Sequence, residues 1–250
     1  MENKSTNQSL VLGNEERYDC ATQRIWAWHK VSDTIDGVEL RFSNMAGGFP
    51  FEAAGRTWAS SEQLYLAGEF TDPSIQLEIA SAKSGYAAKR FIKAKYKSVV
   101  REDFPEFRLQ WMLWCVWQKC LGSNDFQRLL TSVPDDVILV EDTTTDNGGT
   151  AEIWGCRNPE QRKAQSIARK EISARLEGAF KSKKQFEAEV DRAVLENTRS
   201  IGSYLGQNNI GKILMICRNS LIAGTKPDIN HRLLNSARIT ILDNILTFSE

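Results

Sequence analysis

The chain has 250 residues and carries 32 Lys plus Arg against 32 Asp plus Glu, so its formal net charge is zero and no global basic field marks it as a polyanion binder. Hydrophobic residues at 41% and charged residues at 26% are the proportions of a globular fold, which excludes a disordered or fibrous chain. No run of about 18 apolar residues offers a helical membrane span, and the polar opening M-E-N-K-S-T-N-Q-S-L lacks the apolar segment of a signal peptide. Five scattered cysteines without a C-x-x-C pair and only two histidines (His29, His231) argue for reduced thiols in a cytoplasmic setting. The same counts argue against a disulfide framework and a metal site, and nothing calls for a cofactor.

In chain order, residues 1–20 are polar without periodicity and read as a flexible leader before a domain over 21–250. The runs I-W-A-W and V-E-L-R-F, separated by the Asp36-Gly37 turn signal, predict a strand pair over 25–40. A Gly/Pro loop follows, R-F-S-N-M-A-G-G-F-P-F, carrying Ser43 and Asn44. The stretch T-W-A-S-S-E-Q-L-Y-L-A-G-E-F (57–70) then predicts a helix packed into a core. Ser60 and Ser61 can cap it, and Glu62 in its first turn is favoured by the helix dipole. A carboxylate there is either a capping group or a site group. Helices are predicted over 74–82 and 86–97, the second carrying Lys89, Arg90, Lys93, Lys95 and Lys97. That basic run reads as a solvated face, or else as a surface for phosphates.

The most apolar helix, 104–121, carries Trp111, Trp114 and Trp117 three residues apart, a spacing typical of core. Lys119 shares a face with Cys115; it either snorkels outward, to which the pattern leans, or sits in a site that uses its charge or amine. After a helical segment at 125–130, V-I-L-V-E (137–141) predicts a buried strand ending in an acid. The polar loop D-T-T-T-D-N-G-G-T-A-E-I-W-G follows, ending at Trp154-Gly155, where acids such as Glu141 and Asp146 are plausible site residues or turn formers. Residues 159–199 are charged and predict a pair of amphipathic helices broken near 178–182, an insertion or lid without its own core. G-S-Y-L-G-Q-N-N then reads as a Gly/Asn-rich loop feeding an apolar helix, a junction whose amides can hold an anion. The closing run I-T-I-L-D-N-I-L predicts an edge strand or short helix.

Several of these motifs, in this order, resemble the NADAR family of YbiA-like proteins: R-F-S-N at 41–44, W-A-S-S-E-Q-L-Y at 58–65, R-E-D-F at 101–104, Q-K-C at 118–120, L-V-E-D-T-T-T-D at 139–146, W-G at 154–155 and G-Q-N-N-I-G-K-I-L-M-I-C-R at 206–218. The chain departs from the pattern in carrying Gln63 where the family has histidine, Glu69 where it has lysine, a blurred A-x-x-G-R around 87–90, and about 40 extra residues before the glycine-asparagine motif. The resemblance implies an α+β fold: a single compact, mostly helical domain with a small sheet and an inserted helical segment at about 159–199. It also implies an N-glycosidase that cleaves a ribose–base bond, removing ADP-ribose from guanine in DNA, preferably single-stranded, beside a cognate DNA ADP-ribosyltransferase toxin. Two alternatives stand beside this: hydrolysis of a small phosphorylated ribosylamino-pyrimidine of riboflavin biosynthesis, and a non-catalytic ADP-ribose or nucleotide binding module. The resemblance gives Glu62 the role of principal carboxylate, supported by Asp146 or Glu141. Lys119 is a phosphate contact or an amine that attacks the open-chain sugar. Ser43, Asn44, Trp58, Ser61, Arg101, Trp154, Gly155 and Asn208 are the implied contacts to sugar, base and phosphate.

Overall fold

A computed structural model describes residues 10–30 and 33–249. In chain order the strands are β1 (Glu16–Asp19), β2 (Ile25–Trp28), β3 (Thr34–Ile35), β4 (Val38–Glu39), β5 (Phe51–Ala53), β6 (Arg56–Trp58), β7 (Ile138–Glu141), β8 (Ser203–Gly206), β9 (Thr240–Ile241) and β10 (Asn244–Ile245). The α-helices are α1 (Ser61–Ala67), α2 (Pro73–Ala80), α3 (Gly85–Lys95), α4 (Phe104–Gly122), α5 (Asn124–Thr131), α6 (Ala151–Trp154), α7 (Pro159–Leu176), α8 (Lys183–Thr198), α9 (Asn209–Ala223) and α10 (His231–Ser236). The class is α+β and helix-rich, with short strands in two-stranded pairings. The chain divides into two compact units, one of Met1–Leu12, Lys30–Asp135 and Lys212–Glu250, the other of Gly13–His29 and Asp136–Gly211.

In the first unit the strands are hairpins. Asp36 and Gly37 both take positive φ, 51° and 81°, the backbone of a tight turn between β3 and β4. Ala54 and Gly55, at 52° and 73°, do the same between β5 and β6, a hairpin that sequence reasoning missed. Helix α4 forms the core of this unit. Trp111 is fully buried and its indole nitrogen donates to the Tyr65 carbonyl at 3.0 Å. Gly68 permits this approach, because a Cβ there would collide with the same indole. Trp114 stacks on Trp111 with ring centroids 5.0 Å apart, and Trp117 is also buried, so the tryptophan stripe is core.

In the second unit, β2 pairs in parallel with β7, Ile25 opposite Ile138 and Trp28 opposite Glu141. The expected strand pair within 25–40 is therefore corrected: I-W-A-W pairs far along the chain, and only V-E joins a local hairpin. The leader is corrected too. Residues 16–19 are strand β1, antiparallel to β8, while residues 1–9 lie outside the described residues. Tyr18, Cys20, Val140, Cys156 and Tyr204 close a small core here. The Gly/Asn-rich stretch expected as a loop is β8 over its first half, and the tail of the 142–155 loop is the short helix α6.

Helices α7 and α8 fall where the sequence placed a helical pair, with the break at 177–182. They do carry an apolar seam of their own, contrary to expectation: Ile172, Val190, Ala193 and Val194 are buried, flanked by Ala168, Leu176 and Phe186. Ser182 caps α8 through the Gln185 amide at 3.1 Å, and Asn158 caps α7 through the Gln161 amide at 3.0 Å. No helix among the described residues is long and apolar enough to cross a membrane.

Candidate functional site: a buried carboxylate and a buried amine

Helix α1 begins at an N-cap, Ser60, whose hydroxyl oxygen accepts from the Gln63 amide at 3.4 Å. The side chain of Gln63 donates to the carbonyls of Ile79 (3.2 Å) and Ala82 (3.0 Å), so the position that departs from the family's histidine ties α1 to the end of α2. The next-door side chain, Glu62, points the other way and is 1% exposed. Asn44 holds it from both ends: its carbonyl accepts from the Glu62 amide at 3.0 Å, and its Nδ2 donates to Oε2 at 2.5 Å. Ser61 adds a hydroxyl bond to the same carbonyl at 3.3 Å. Ser43, also buried, accepts from the Met45 amide at 3.2 Å and so shapes the turn that presents Asn44.

The second oxygen, Oε1, faces the Lys89 ammonium at 3.1 Å, close enough for an ion pair but not aligned as a hydrogen bond. Gly85 opens this side: a Cβ there would sit 3.0 Å from that of Glu62 and 2.7 Å from Ser60 Oγ. Only glycine lets the start of α3 come so near, and Lys89 follows one helical turn later. The side chain of Lys89 is 35% exposed while that of Glu62 is 2% exposed, so this ion pair runs from solvent to the interior. The basic run is thus divided. Lys89 serves the buried acid, Lys95 pairs with exposed Glu78 at 3.0 Å, and Arg90 and Lys97 are exposed. Sequence reasoning missed Lys89, because nothing along the chain links it to a carboxylate 27 positions earlier.

Lys119 corrects the expectation of snorkelling, for it is fully buried and its Nζ has no hydrogen-bond partner among the described residues. Two rings take the place of a polar partner, with Nζ 3.9 Å from the Phe126 centroid and 5.2 Å from that of Phe49. Such contacts contribute about 2 kcal/mol, less than the several kcal/mol needed to strip an ammonium of water. Desolvation wins and lowers the Lys119 pKa from 10.5 to about 7, with the nearby Arg41 charge pushing the same way. Cys115 lies one turn back on the same face of α4, its thiol pKa raised by burial and then by the charge of Glu62. Helix α4 thus carries the buried amine, and a thiol one turn away on it responds to the charge of the buried acid. One loop also covers both: in residues 41–50, Asn44 grips Glu62 and Phe49 lies against Lys119, while Arg41 folds back on Phe49 at 4.8 Å and donates to the Gly47 carbonyl at 2.7 Å.

Two expected contacts of this unit serve the scaffold instead. Trp58 is buried and its Nε1 donates to the Ala53 carbonyl at 2.9 Å, closing the β5–β6 hairpin. Arg101 makes a two-pronged pair with Asp103 at 2.6 and 2.7 Å and donates to the Ala237 carbonyl at 2.5 Å, so its guanidinium is occupied. The remaining expected residues stand in the second unit. Asn208, at φ 48°, is buried, and its amide donates to the Leu139 carbonyl at 2.8 Å and accepts from the Glu141 amide at 3.2 Å, clamping β7. Gly155 passes so close to the Glu141 carbonyl and Thr143 that no side chain fits, and its own carbonyl accepts from the Asn208 amide at 3.2 Å. Glu141 and Trp154 are half-buried. Asp146 is exposed, with its backbone carbonyl accepting from Arg157 at 3.0 Å. Among the described residues no group of three or more His, Cys, Asp or Glu could hold a metal ion, and all five cysteines are buried thiols outside any disulfide.

The fold has a counterpart among solved structures. No family model matches the chain, and no curated protein matches it. Among solved structures, the NMR structure of the E. coli protein YbiA matches over 81% of this chain and 87% of its own, with a TM-score of 0.50 and 22% identity. The chain thus has a YbiA-like fold, the one implied by its ordered motifs. At that identity the likeness concerns the fold alone.

Proposed function

We propose that this protein is an N-glycosidase that hydrolyses a ribose–base bond, removing ADP-ribose from guanine in DNA. The observation that carries the reading is the buried carboxylate of Glu62, fixed by Asn44 at 2.5 Å and reached from solvent along Lys89 at 3.1 Å. As the bond from the sugar carbon to the base nitrogen lengthens, the base leaves with the bonding electrons and the ribose becomes oxocarbenium-like. A desolvated, pre-oriented carboxylate stabilises that cation far better than one in water, because nothing has to reorganise around it. Water then adds to the sugar carbon and its proton is passed on, giving ADP-ribose and the unmodified base. Lys119 supports the same chemistry. With its pKa lowered to about 7, a substantial fraction of the amine is unprotonated near neutrality and able to attack C1 of the ring-opened riboside, where it displaces the base, which leaves carrying the proton, and forms a Schiff base that water hydrolyses to ADP-ribose and the free amine. Glu62 is approached from solvent along Lys89, and the 41–50 loop, which touches both groups through Asn44 and Phe49, has to move for a substrate to reach them.

Two exposed cations, Arg90 on α3 and Lys97 just beyond its end, support contacts to a phosphate backbone. A modified base inside a duplex has to be extruded, which favours a single strand as substrate. A DNA ADP-ribosyltransferase is the enzyme class that makes this adduct and is the partner proposed. The test is incubation with a guanine-ADP-ribosylated oligonucleotide, single-stranded and duplex, with release of ADP-ribose as the expected result. An adduct left intact by folded protein overturns the reading. Turnover of a free phosphorylated ribosylamino-pyrimidine in its place would move the activity to a small metabolite.

A further inference from the structure

We propose that the groove running along α7 from the Asp146 loop binds the phosphodiester backbone of a single nucleic-acid strand. The groove encloses about 840 Å³ and lies within the second unit. Four cationic side chains line it, Arg162, Lys163, Arg169 and Lys170, against one carboxylate, Asp191. That carboxylate is paired with Arg169. The side chains of Arg162, Lys163 and Lys170 form no hydrogen bond or ion pair among the described residues, although a chain with zero net charge has carboxylates enough to match them. The acids of α7 itself, Glu160 and Glu171, are not in the lining. A merely solvated helix face would mix the two signs, as the exposed face of α8 does with Arg192 between Glu189 and Glu196.

The shape and chemistry select the ligand. Arg162 and Lys163 precede Arg169 and Lys170 by seven residues, so the two cation pairs lie on one face about 10 Å apart. Charges set in a row, instead of converging on one point, suit a chain of phosphates better than a single anion. No aromatic side chain lines the groove, which leaves nothing to stack a base and makes recognition a matter of backbone charge. At its upper end the groove reaches Thr144, and the loop that carries Asp146 is tied to the start of α7 there, with the Asn158 amide donating to Thr144 Oγ1 at 2.8 Å. This segment is the part of the chain that exceeds the family pattern, so the surface is a property of this protein in its own right. For its biological purpose the proposal rests on the reading of a DNA adduct as substrate; the binding itself does not.

The experiment is fluorescence anisotropy of the full chain with an unmodified labelled single strand of about 16 nucleotides, across a salt series. Binding is expected, with log K falling about 0.7 per phosphate contact for each unit of log salt. The triple variant R162A/K163A/K170A should bind at least ten-fold more weakly and lose about 2 from that slope. Circular dichroism of the variant checks its fold, and K184A on α8 serves as a single-charge control outside the groove. The proposal is overturned by no binding by the wild type, by a slope the triple variant leaves unchanged, or by equal competition from an acidic polypeptide of matched charge. Affinity that fails to grow with oligonucleotide length would also overturn it, marking a single-phosphate site. A protein that binds the strand but leaves the adduct intact sinks the glycosidase reading alone. One that releases ADP-ribose from a modified mononucleoside yet ignores the strand sinks only this proposal.

Discussion

The two charged regions of this molecule are built on opposite principles. Around α1 and α4, ionisable groups are taken out of water: Glu62 and Lys119 are 1% and 0% exposed, and each neighbour is placed to within a hydrogen bond or a ring contact. Along α7 and α8, charges sit in solvent: Arg169 and Arg192 pair with the facing helix or with partners three or four residues away, while the side chains of Arg162, Lys163 and Lys170 stay unpaired among the described residues. In the first region every charge is expensive to bury and its geometry decides what it does. In the second, individual pairs matter little, and what counts is the sum of charge along a surface.

The sharpest way to break this comparison is Glu62→Gln. It keeps shape and the Asn44 contact but removes the charge, so turnover on the ADP-ribosylated oligonucleotide should fall about 100- to 1000-fold with ADP-ribose binding retained. Residual activity near wild type would reduce Glu62 to a capping residue. Lys119→Met should raise thermal stability at neutral pH by on the order of a few kcal/mol, since it replaces an unpartnered amine with an apolar chain of similar volume.

The same variant carries a pH test. The unfolded chain holds the Lys119 proton up to about 10.5 and the folded chain releases it near 7, so between those values the unfolded state binds more protons and this residue's destabilising effect fades as pH rises. The stability gap between wild type and Lys119→Met should therefore narrow from pH about 7 towards pH about 10. Taking the difference cancels Tyr65 and Cys115, whose raised pKa values act the other way in both proteins. A gap independent of pH would show that the amine titrates normally.

Next in size is Asn208→Ala in the second unit. It leaves the Leu139 carbonyl and the Glu141 amide without their side-chain partner and puts a Cβ-only residue at φ 48°, a loss of about 2–3 kcal/mol by denaturant titration. If stability holds and only activity falls, the residue is a substrate contact after all. Smallest is Arg192→Ala: although it touches both Glu189 and Glu196, it should leave the melting midpoint where it was, because exposed pairs are screened by water.

Much of the helical framework was legible along the chain. The tryptophan spacing of α4, the Ser60 cap before α1 and the two amphipathic runs of α7 and α8 all rest on local periodicity and capping, which operate within a few residues. The strands were harder. I-W-A-W finds its partner 113 positions away, Ile25 opposite Ile138, and nothing in a window of ten residues can announce that. The same limit governs the candidate site. Glu62 stood out by its place at a helix start, whereas Lys89 was one cation among five in a basic run and Trp58 and Arg101 looked like ligands until their hydrogen bonds were spent on Ala53 and on Asp103 and Ala237.

By itself, then, the sequence determined which segments coil, where they start and stop, and which residue types were on hand for chemistry, since backbone preferences and apolar spacing act over one or two turns. Only the tertiary structure decided that Asn44 and Lys89 flank the same carboxylate and that Lys119 is dry between two rings. Burial and charge depend on what packing brings alongside from elsewhere in the chain, and a side chain's neighbours in space set its proton affinity far more than its neighbours in line.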